Sequence, residues 1–224
     1  SILSYMASLA NIKTQKSNLR VKIKSLLREL PNDYIEQQSL DLAANLKRLP
    51  FLSDDGTSDK VCVYLSMEKE AQTNHIVNFL FETGKAVFIP KIVGRDSSDM
   101  RMYKISCASQ IKSFPLSKWG IPEPALNDVL KATSEHVTEC FDLVIVPGCS
   151  FDKNCNRLGH GKGYYDSFLK RAEHFALSNG KLAPKTVGIC LSEQIVDEIP
   201  ASDHDVALDY VVTPKQIFKR KLKD

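Results

Sequence analysis

Phe141-Asp142-Leu143-Val144-Ile145-Val146-Pro147-Gly148 is the stretch on which the fold turns. Its apolar run does not alternate with polar residues, the pattern of a strand buried on both faces in a parallel sheet covered by helices. A glycine-rich loop follows, then a helical pattern from about Gly163 to Phe175. Upstream, Val61-Cys62-Val63-Tyr64-Leu65 reads as a buried strand, and Thr73 opens a helix carried by Ile76, Val77, Leu80 and Phe81 that stops at Gly84. Ala86-Val87-Phe88-Ile89-Pro90 is the next strand, which completes a βαβ unit. Arg101 to Ile105 alternates as a strand, while Phe114 to Ala125, with three prolines and the only tryptophan, reads as an ordered loop. Thr186 to Leu191 and Tyr210 to Thr213 supply two further strands, and Pro214 is placed to begin a closing helix.

Two helical patterns precede the first strand. Leu19, Ile23, Leu26, Leu27 and Leu30 recur at helical spacing from Ser17 to Leu30, closed by Pro31. Asp33 is a candidate cap for a second helix running to about Leu49 on Ile35, Leu42 and Leu46. The expected architecture is α/β, with a mostly parallel central sheet, helices on both faces and a ligand site at the C-terminal ends of the strands.

The 224 residues suffice for one large domain, and the area scalings allow roughly 70% of the surface to be buried without disulfides or metal staples. We expect a flexible N-terminus over 1–15, one domain over 16–218 and a basic tail over 219–224. A net charge of +3 is too mild to argue for a nucleic-acid or membrane partner, and no stretch reaches the ~20 apolar residues of a membrane helix. The six cysteines form no Cys-x-x-Cys pair and several lie in apolar runs, so six free thiols and a reducing compartment are expected. The first 28 residues lack Asp and Glu and faintly resemble a transit peptide, but Arg first appears at position 20 and no cleavage pattern is evident.

Chemistry concentrates in Arg157-Leu158-Gly159-His160-Gly161-Lys162-Gly163-Tyr164-Tyr165-Asp166. No Ser or Thr follows Lys162, so this is not a Walker A loop, and Tyr164 sits where a dinucleotide fingerprint needs its third glycine. Glycines let backbone N–H groups approach a ligand, and a helix N-terminus favours anions. With Arg157 and Lys162 adding full charges, a phosphate chain is the anion that fits, and Asp166 is placed to hold its Mg²⁺. The competing account is a glycine-rich turn with solvated basic residues.

These residues, with Pro147-Gly148 and Phe151-Asp152, resemble the signature of the 5-formyltetrahydrofolate cyclo-ligase family, also called methenyltetrahydrofolate synthetases. Further matches are Lys16 with Leu19-Arg20, Tyr64-Leu65-Ser66-Met67 with Glu70, Trp119 with Ile121-Pro122-Glu123-Pro124, and Asp205 to Asp209. The resemblance implies a fold related to the sugar-phosphate isomerase and CoA-transferase group. It implies conversion of 5-formyltetrahydrofolate and MgATP to 5,10-methenyltetrahydrofolate, ADP and phosphate through an imidoyl phosphate. It also implies a cytoplasmic enzyme, or alternatively one of the mitochondrial matrix, expected as a monomer acting on small molecules.

Carried over by position, the resemblance puts Lys16, Arg20, Arg157, Leu158, Gly159, His160, Gly161, Lys162, Gly163, Tyr164 and Tyr165 on ATP, with Arg157 and Lys162 catalytic. Asp166 and Asp205 fall near magnesium. Leu65, Glu70, Trp119 and Tyr164 fall on the folate, with His160, Gly161, Lys162 and Gly163 shared between the two substrates. Each has a plainer account: Lys16 and Arg20 as a solvated helix face, Asp205 as an ordinary loop carboxylate, Trp119 as a core anchor, Glu70 as a solvated charge. Two departures stand out. Cys155 occupies a position where glycine is usual, expected to stiffen the turn and expose a thiol, and His160 replaces a commoner Arg or Lys with a pH-dependent charge. The rival functions are a folate or nucleotide binder without turnover, a sugar-phosphate isomerase or CoA-transferase relative, and a nucleic-acid binder using the basic C-terminus.

Overall fold

Ten strands and six α-helices make up the computed structural model, which describes residues 2–52, 56–118, 120–132, 139–200, 202 and 205–221, with backbone alone over 2–9. The strands are β1 (Lys60–Cys62), β2 (Ala86–Ile92), β3 (Met100–Ile105), β4 (Leu143–Val146), β5 (Ser150–Asp152), β6 (Arg157–Leu158), β7 (Lys185–Ile189), β8 (Ile195–Val196), β9 (Tyr210–Val212) and β10 (Ile217–Lys219). The helices are α1 (Ile2–Arg28), α2 (Asn32–Leu46), α3 (Asn74–Glu82), α4 (Ala108–Ile111), α5 (Leu126–Ala132) and α6 (Tyr164–Ser178). Seven strands form the main sheet in the order β10-β9-β7-β4-β1-β2-β3, parallel from β9 to β2 and antiparallel at both edges.

Continuous apolar strands follow from burial on both faces. In β4, Leu143 and Ile145 pack into the layer holding Ile23, Ile35, Leu42 and Ile76 from α1, α2 and α3, while Val144 and Val146 pack into the layer holding Phe168, Leu169 and Ala172 of α6. β1 divides in the same way, Val61 to the first layer and Cys62 to the second. The period of two thus distributes every other residue to a separate hydrophobic layer, so neither face tolerates a polar residue. The expected mostly parallel sheet with helices on both faces is what forms.

A second, three-stranded sheet, β6-β5-β8, was not legible beforehand because its strands are only two or three residues long and show no periodicity. It carries the start of the glycine loop. Ser150 pairs with Leu158 and Phe151 with Arg157. The turn between them is shaped by the buried Asp152 carboxylate, whose Oδ1 accepts from Asn154 N at 2.9 Å and Asn156 N at 3.0 Å and whose Oδ2 accepts from Asn156 Nδ2 at 2.9 Å and Ile199 N at 3.1 Å. Cys155 closes this turn at φ 65°, a left-handed conformation that glycine adopts at no steric cost. The expectation of an exposed thiol there is wrong. Cys155 is fully buried, its Sγ lies 3.9 Å from Asp209 O, and burial pushes its thiol up to about 11.

Other expectations need correction. The helix expected from Ser17 begins at Ile2, and Leu26, placed on the apolar face, is exposed. Asp33 lies inside the first turn of α2, whose N-cap is Pro31. The segment after Pro214 forms β10, not a helix, because Ile217 to Lys219 pairs with β9. In the basic C-terminal segment, Arg220 bonds Ala207 O at 3.1 Å and pairs with Asp209 at 3.1 Å. Residues 222–224 lie outside the described residues. All six cysteines are unpaired, and no helix among the described residues is long and apolar enough to cross a membrane.

The Phe151 ring wedges the small sheet against the large one, filling the space above two glycines. A Cβ at Gly188 would lie 2.5 Å from Phe151 Cε1 and 2.8 Å from Leu208 Cδ1, and one at Gly148 would lie 2.6 Å from Phe151 Cζ. Gly188→Ala is therefore expected to destabilise the protein by about 1–3 kcal/mol through overpacking. Combining it with Phe151→Leu should cost less than the two single changes summed, because the smaller side chain vacates the contested space. Urea unfolding of the four variants measures this, and an unchanged midpoint for Gly188→Ala would refute the wedge.

Candidate functional site

The strand order reverses between β1 and β4. From β1 the chain crosses through α3 to β2 on one side, and from β4 it crosses through α6 to β7 on the other side. The segments leaving β1 and β4 therefore separate at their C-terminal ends, which opens a crevice where α/β sheets bind ligands. Residues 63–73 border one side and 147–163 the other.

Arg157 anchors the 147–163 side from beneath. Its side chain is 3% exposed, Nη2 donates to Asp166 Oδ2 at 2.9 Å, Nη1 donates to Pro147 O at 3.3 Å, and the guanidinium lies over the Tyr165 ring at 5.7 Å. Arg157 is therefore not the solvated basic residue of a plain glycine-rich turn. A Cβ at Gly159 would fall 2.7 Å from Arg157 Nη1, so glycine is what lets the loop settle on the guanidinium. The chain then turns through Gly161 at φ 93° and Gly163 at φ 71°, where Gly163 caps α6. Leu158 is buried in the core, while His160 and Lys162 are exposed. Burial also pushes the Tyr165 phenol up. Gln194, which sequence reasoning missed because nothing marks a lone glutamine, holds the entry to this segment. Its buried side chain donates to Gly148 O at 2.8 Å and Cys149 O at 3.2 Å.

Helix α1 reaches the loop from the other layer. Arg20 Nε donates to Gly159 O at 2.8 Å, and its Cζ lies 3.5 Å from where a Gly161 Cβ would be. One turn earlier, Lys16, 13% exposed, pairs with Asp205 Oδ2 at 2.5 Å. Lys16 and Arg20 are thus not a solvated face; they bind α1 to the site. Ser202, also missed, donates to Asp205 Oδ2 through N at 2.7 Å and Oγ at 3.0 Å. Burial pulls the Asp205 carboxyl upward, but the bonds from Lys16 and Ser202 outweigh it and hold the group below its ordinary value.

Asp166 and Asp205 belong to neighbouring segments. Val206 N lies 3.4 Å from Asp166 Oδ1, and a cavity of about 50 Å³ is lined by Asn156, Arg157, Ser202 and Asp205 among others. Arg157 Nε is buried without a partner. The described residues contain no group of three or more His, Cys, Asp or Glu placed to hold a metal on protein ligands alone. The donor set does fit Mg²⁺ brought in by a phosphate, which needs only one or two carboxylates. Among the described residues the bonds Asp205 accepts fall on Oδ2, so Oδ1 is the oxygen that would face such an ion.

On the 63–73 side, Glu70 Oε2 accepts from Met67 N at 2.9 Å and Oε1 meets His160 Nε2 at 3.5 Å. The carboxylate is 13% exposed, so it is not a solvated charge. The Tyr64 phenol is pushed well up by burial and then by the Glu70 charge. Leu65 is half-buried against the first core layer, and the Tyr164 hydroxyl reaches Gly94 O at 3.4 Å. Trp119 lies outside the described residues.

The Asp205 bonds make a pH-dependent tether. A carboxyl depressed by folding contributes stability that is complete above its unfolded value of 3.8 and is lost as pH falls through the lower folded value. Lys16→Met should therefore lower stability by about 1 kcal/mol at pH 7, a partly buried pair being worth little more than that, and by almost nothing below about pH 3. Urea midpoints across this range measure it; a pH-independent difference would mean that Lys16 acts by packing alone.

The chain matches the 5-formyltetrahydrofolate cyclo-ligase family over residues 12–214. It is 37% identical over 209 residues to a probable 5-formyltetrahydrofolate cyclo-ligase of Schizosaccharomyces pombe, covering 92% of this chain and 98% of that one. It is 33% identical to the 5-formyltetrahydrofolate cyclo-ligase of Mus musculus, covering 90% and 94%. Among solved structures, the 5,10-methenyltetrahydrofolate synthetase of Aquifex aeolicus superposes with a TM-score of 0.68 at 27% identity, covering 93% of this chain and 96% of that one. With the glycine loop, the α1 cations and the paired carboxylates all brought to one crevice, the chain belongs to the 5-formyltetrahydrofolate cyclo-ligase family.

Proposed function

We propose that this protein converts 5-formyltetrahydrofolate and MgATP to 5,10-methenyltetrahydrofolate, ADP and phosphate. The observation that carries this reading is the 3.5 Å meeting of Glu70 with His160. It joins the side of the crevice suited to a pterin with the loop suited to a polyphosphate, so a formyl oxygen and a γ-phosphate bound there would be neighbours. Family membership supports the overall reaction.

A formamide carbon is a poor electrophile, and activating it is the task. In the proposed sequence the formyl oxygen attacks the γ-phosphorus, the bond to the β,γ-bridging oxygen breaks, and ADP departs. N10 of the resulting imidoyl phosphate adds to the activated carbon, the C–O bond breaks with release of phosphate, and the N10 proton leaves with it. Such transfers ask a protein mainly for positioning and charge neutralisation.

The chain's groups divide that work. Backbone N–H groups of Gly159 to Gly163, the α6 N-terminus, Lys162 and Arg20 would bind the phosphates. Arg157, from below, holds Asp166 and the loop in register. Glu70 would accept from the donor-rich pterin edge, with Tyr164 and Trp119 as faces for stacking. Mg²⁺, held by Asp166 and Asp205, would neutralise charge on the phosphates. Six unpaired cysteines favour a reducing compartment, and we place the enzyme in the cytoplasm as a monomer.

The test is direct. Purified protein with 5-formyltetrahydrofolate and MgATP is expected to give an ATP-dependent rise in near-ultraviolet absorbance from the conjugated methenyl product. Asp166→Asn and Arg157→Ala should each cut the rate by roughly 10²-fold or more. No rise, with 5-formyltetrahydrofolate still raising Tm, would reassign the protein as a folate binder without turnover.

A further inference from the structure

The hairpin between β2 and β3 has no part in the site as described, yet it is built to keep one shape. Beyond the last ladder pair, Ile92 with Met100, Val93 N donates to Asp99 O at 2.8 Å, Asp99 N to Asp96 O at 2.9 Å and Asp96 N to Asp99 Oδ2 at 2.9 Å. A Cβ at Gly94 would collide with that carboxylate, so glycine is what lets the tip close. The tip is seated on the first turn of α6. The Tyr164 hydroxyl lies 3.4 Å from Gly94 O and 3.5 Å from Arg95 O, and Ser97 Cβ packs 3.7 Å from where a Gly163 Cβ would sit. At the base, Arg171 of α6 donates to Met100 O at 3.4 Å.

These contacts fix the backbone of Arg95 beside the exit of the glycine loop. Its side chain is exposed and makes no hydrogen bond or ion pair among the described residues. An exposed arginine whose backbone is packed against Tyr164 and whose neighbour Ser97 lies against Gly163, at the positive end of α6, is placed to share an anion with that helix end. Arg20 approaches the same loop from α1, in the opposite layer of the sheet.

We propose that Arg95 contacts the polyphosphate of the nucleotide, closing the α6 side of the site as Arg20 closes the α1 side. The inference rests on the ATP reading above and deepens it. A planar guanidinium suits two non-bridging phosphate oxygens at once, which an ammonium cannot match.

Calorimetric titration with ATP, steady-state kinetics in both substrates and Tm would be measured for the wild type, Arg95→Ala and Arg95→Lys. Arg95→Ala is expected to raise the Kd and KM for ATP about tenfold, the loss of one charge-assisted contact, with Arg95→Lys in between. The KM for 5-formyltetrahydrofolate and the Tm should stay at wild-type values, and the ATP effect should shrink as salt is added. A wild-type ATP Kd in Arg95→Ala overturns the proposal, and so does a lowered Tm with equal losses for both substrates, the mark of a folding role. If the wild type itself neither binds ATP nor forms product, the nucleotide reading fails first and takes this inference with it.

Discussion

The Arg157–Asp166 pair is the constraint on which the rest of the site depends. It joins the two ends of the glycine loop, one residue at the start of β6 and the other in the first turn of α6, at 2.9 Å. With both ends fixed, the loop between them can only bulge outward, and Gly161 and Gly163 supply the positive φ angles that path requires. A guanidinium 3% exposed with Nε unpartnered is a poor source of net stability, because desolvation offsets most of the attraction. What the pair contributes is geometry. Losing Asp166 would leave the Arg157 charge stranded under the loop, a change that typically costs about 3–5 kcal/mol.

Everything that supports this pair is itself buried and satisfied. Phe151 presses β5 against Gly148 and Gly188, Asp152 turns the chain so that Arg157 emerges in register, and Gln194 holds the carbonyls of Gly148 and Cys149. Asp152 also accepts from Ile199 N, which ties the turn before Arg157 to the segment that delivers Asp205. One buried carboxylate therefore ties together the segments that deliver Arg157 and Asp205. Helix α1 completes the frame from the opposite layer, and its apolar residues Ile23 and Leu27 fix the phase that points Lys16 and Arg20 at the crevice.

How much of this was legible follows from the physics of each element. The strands at Val61, Ala86 and Leu143 and the helix at Thr73 were readable because burial on two faces, or on one helical face, forces a pattern into the residues themselves. The glycine loop was readable because positive φ and close approach restrict which residues serve. β5, β6 and β8 were not readable: strands of two or three residues show no periodicity, and the β5–β8 pairing joins residues more than 35 positions apart, such as Ile195 opposite Phe151. The β10 edge failed for a related reason, since Pro214 favours a helix start locally while pairing with Val211 decides the outcome. Of the site, residue types and their grouping were legible, but depth was not. Nothing in Arg157 or Cys155 as letters says that the first lies beneath the loop and that the second is sealed in a left-handed turn.

The charge pattern of the crevice explains why composition says so little. Asp205 is matched by Lys16 and Asp166 by Arg157, while Glu70 meets the His160 ring across the crevice. Arg20 spends Nε on a carbonyl, which is neutral, and Lys162 is exposed, so both keep their full charge directed at the loop. The four cations Lys16, Arg20, Arg157 and Lys162 therefore outnumber the three carboxylates Asp166, Asp205 and Glu70 at a site of few residues, in a chain whose whole net charge is +3. Because the paired carboxylates lie below and the surplus cations above, the field seen by an incoming polyanion is set by layering and not by totals. Neutralising the chain elsewhere would leave that field nearly intact at physiological ionic strength, since charges beyond about 8 Å are largely screened.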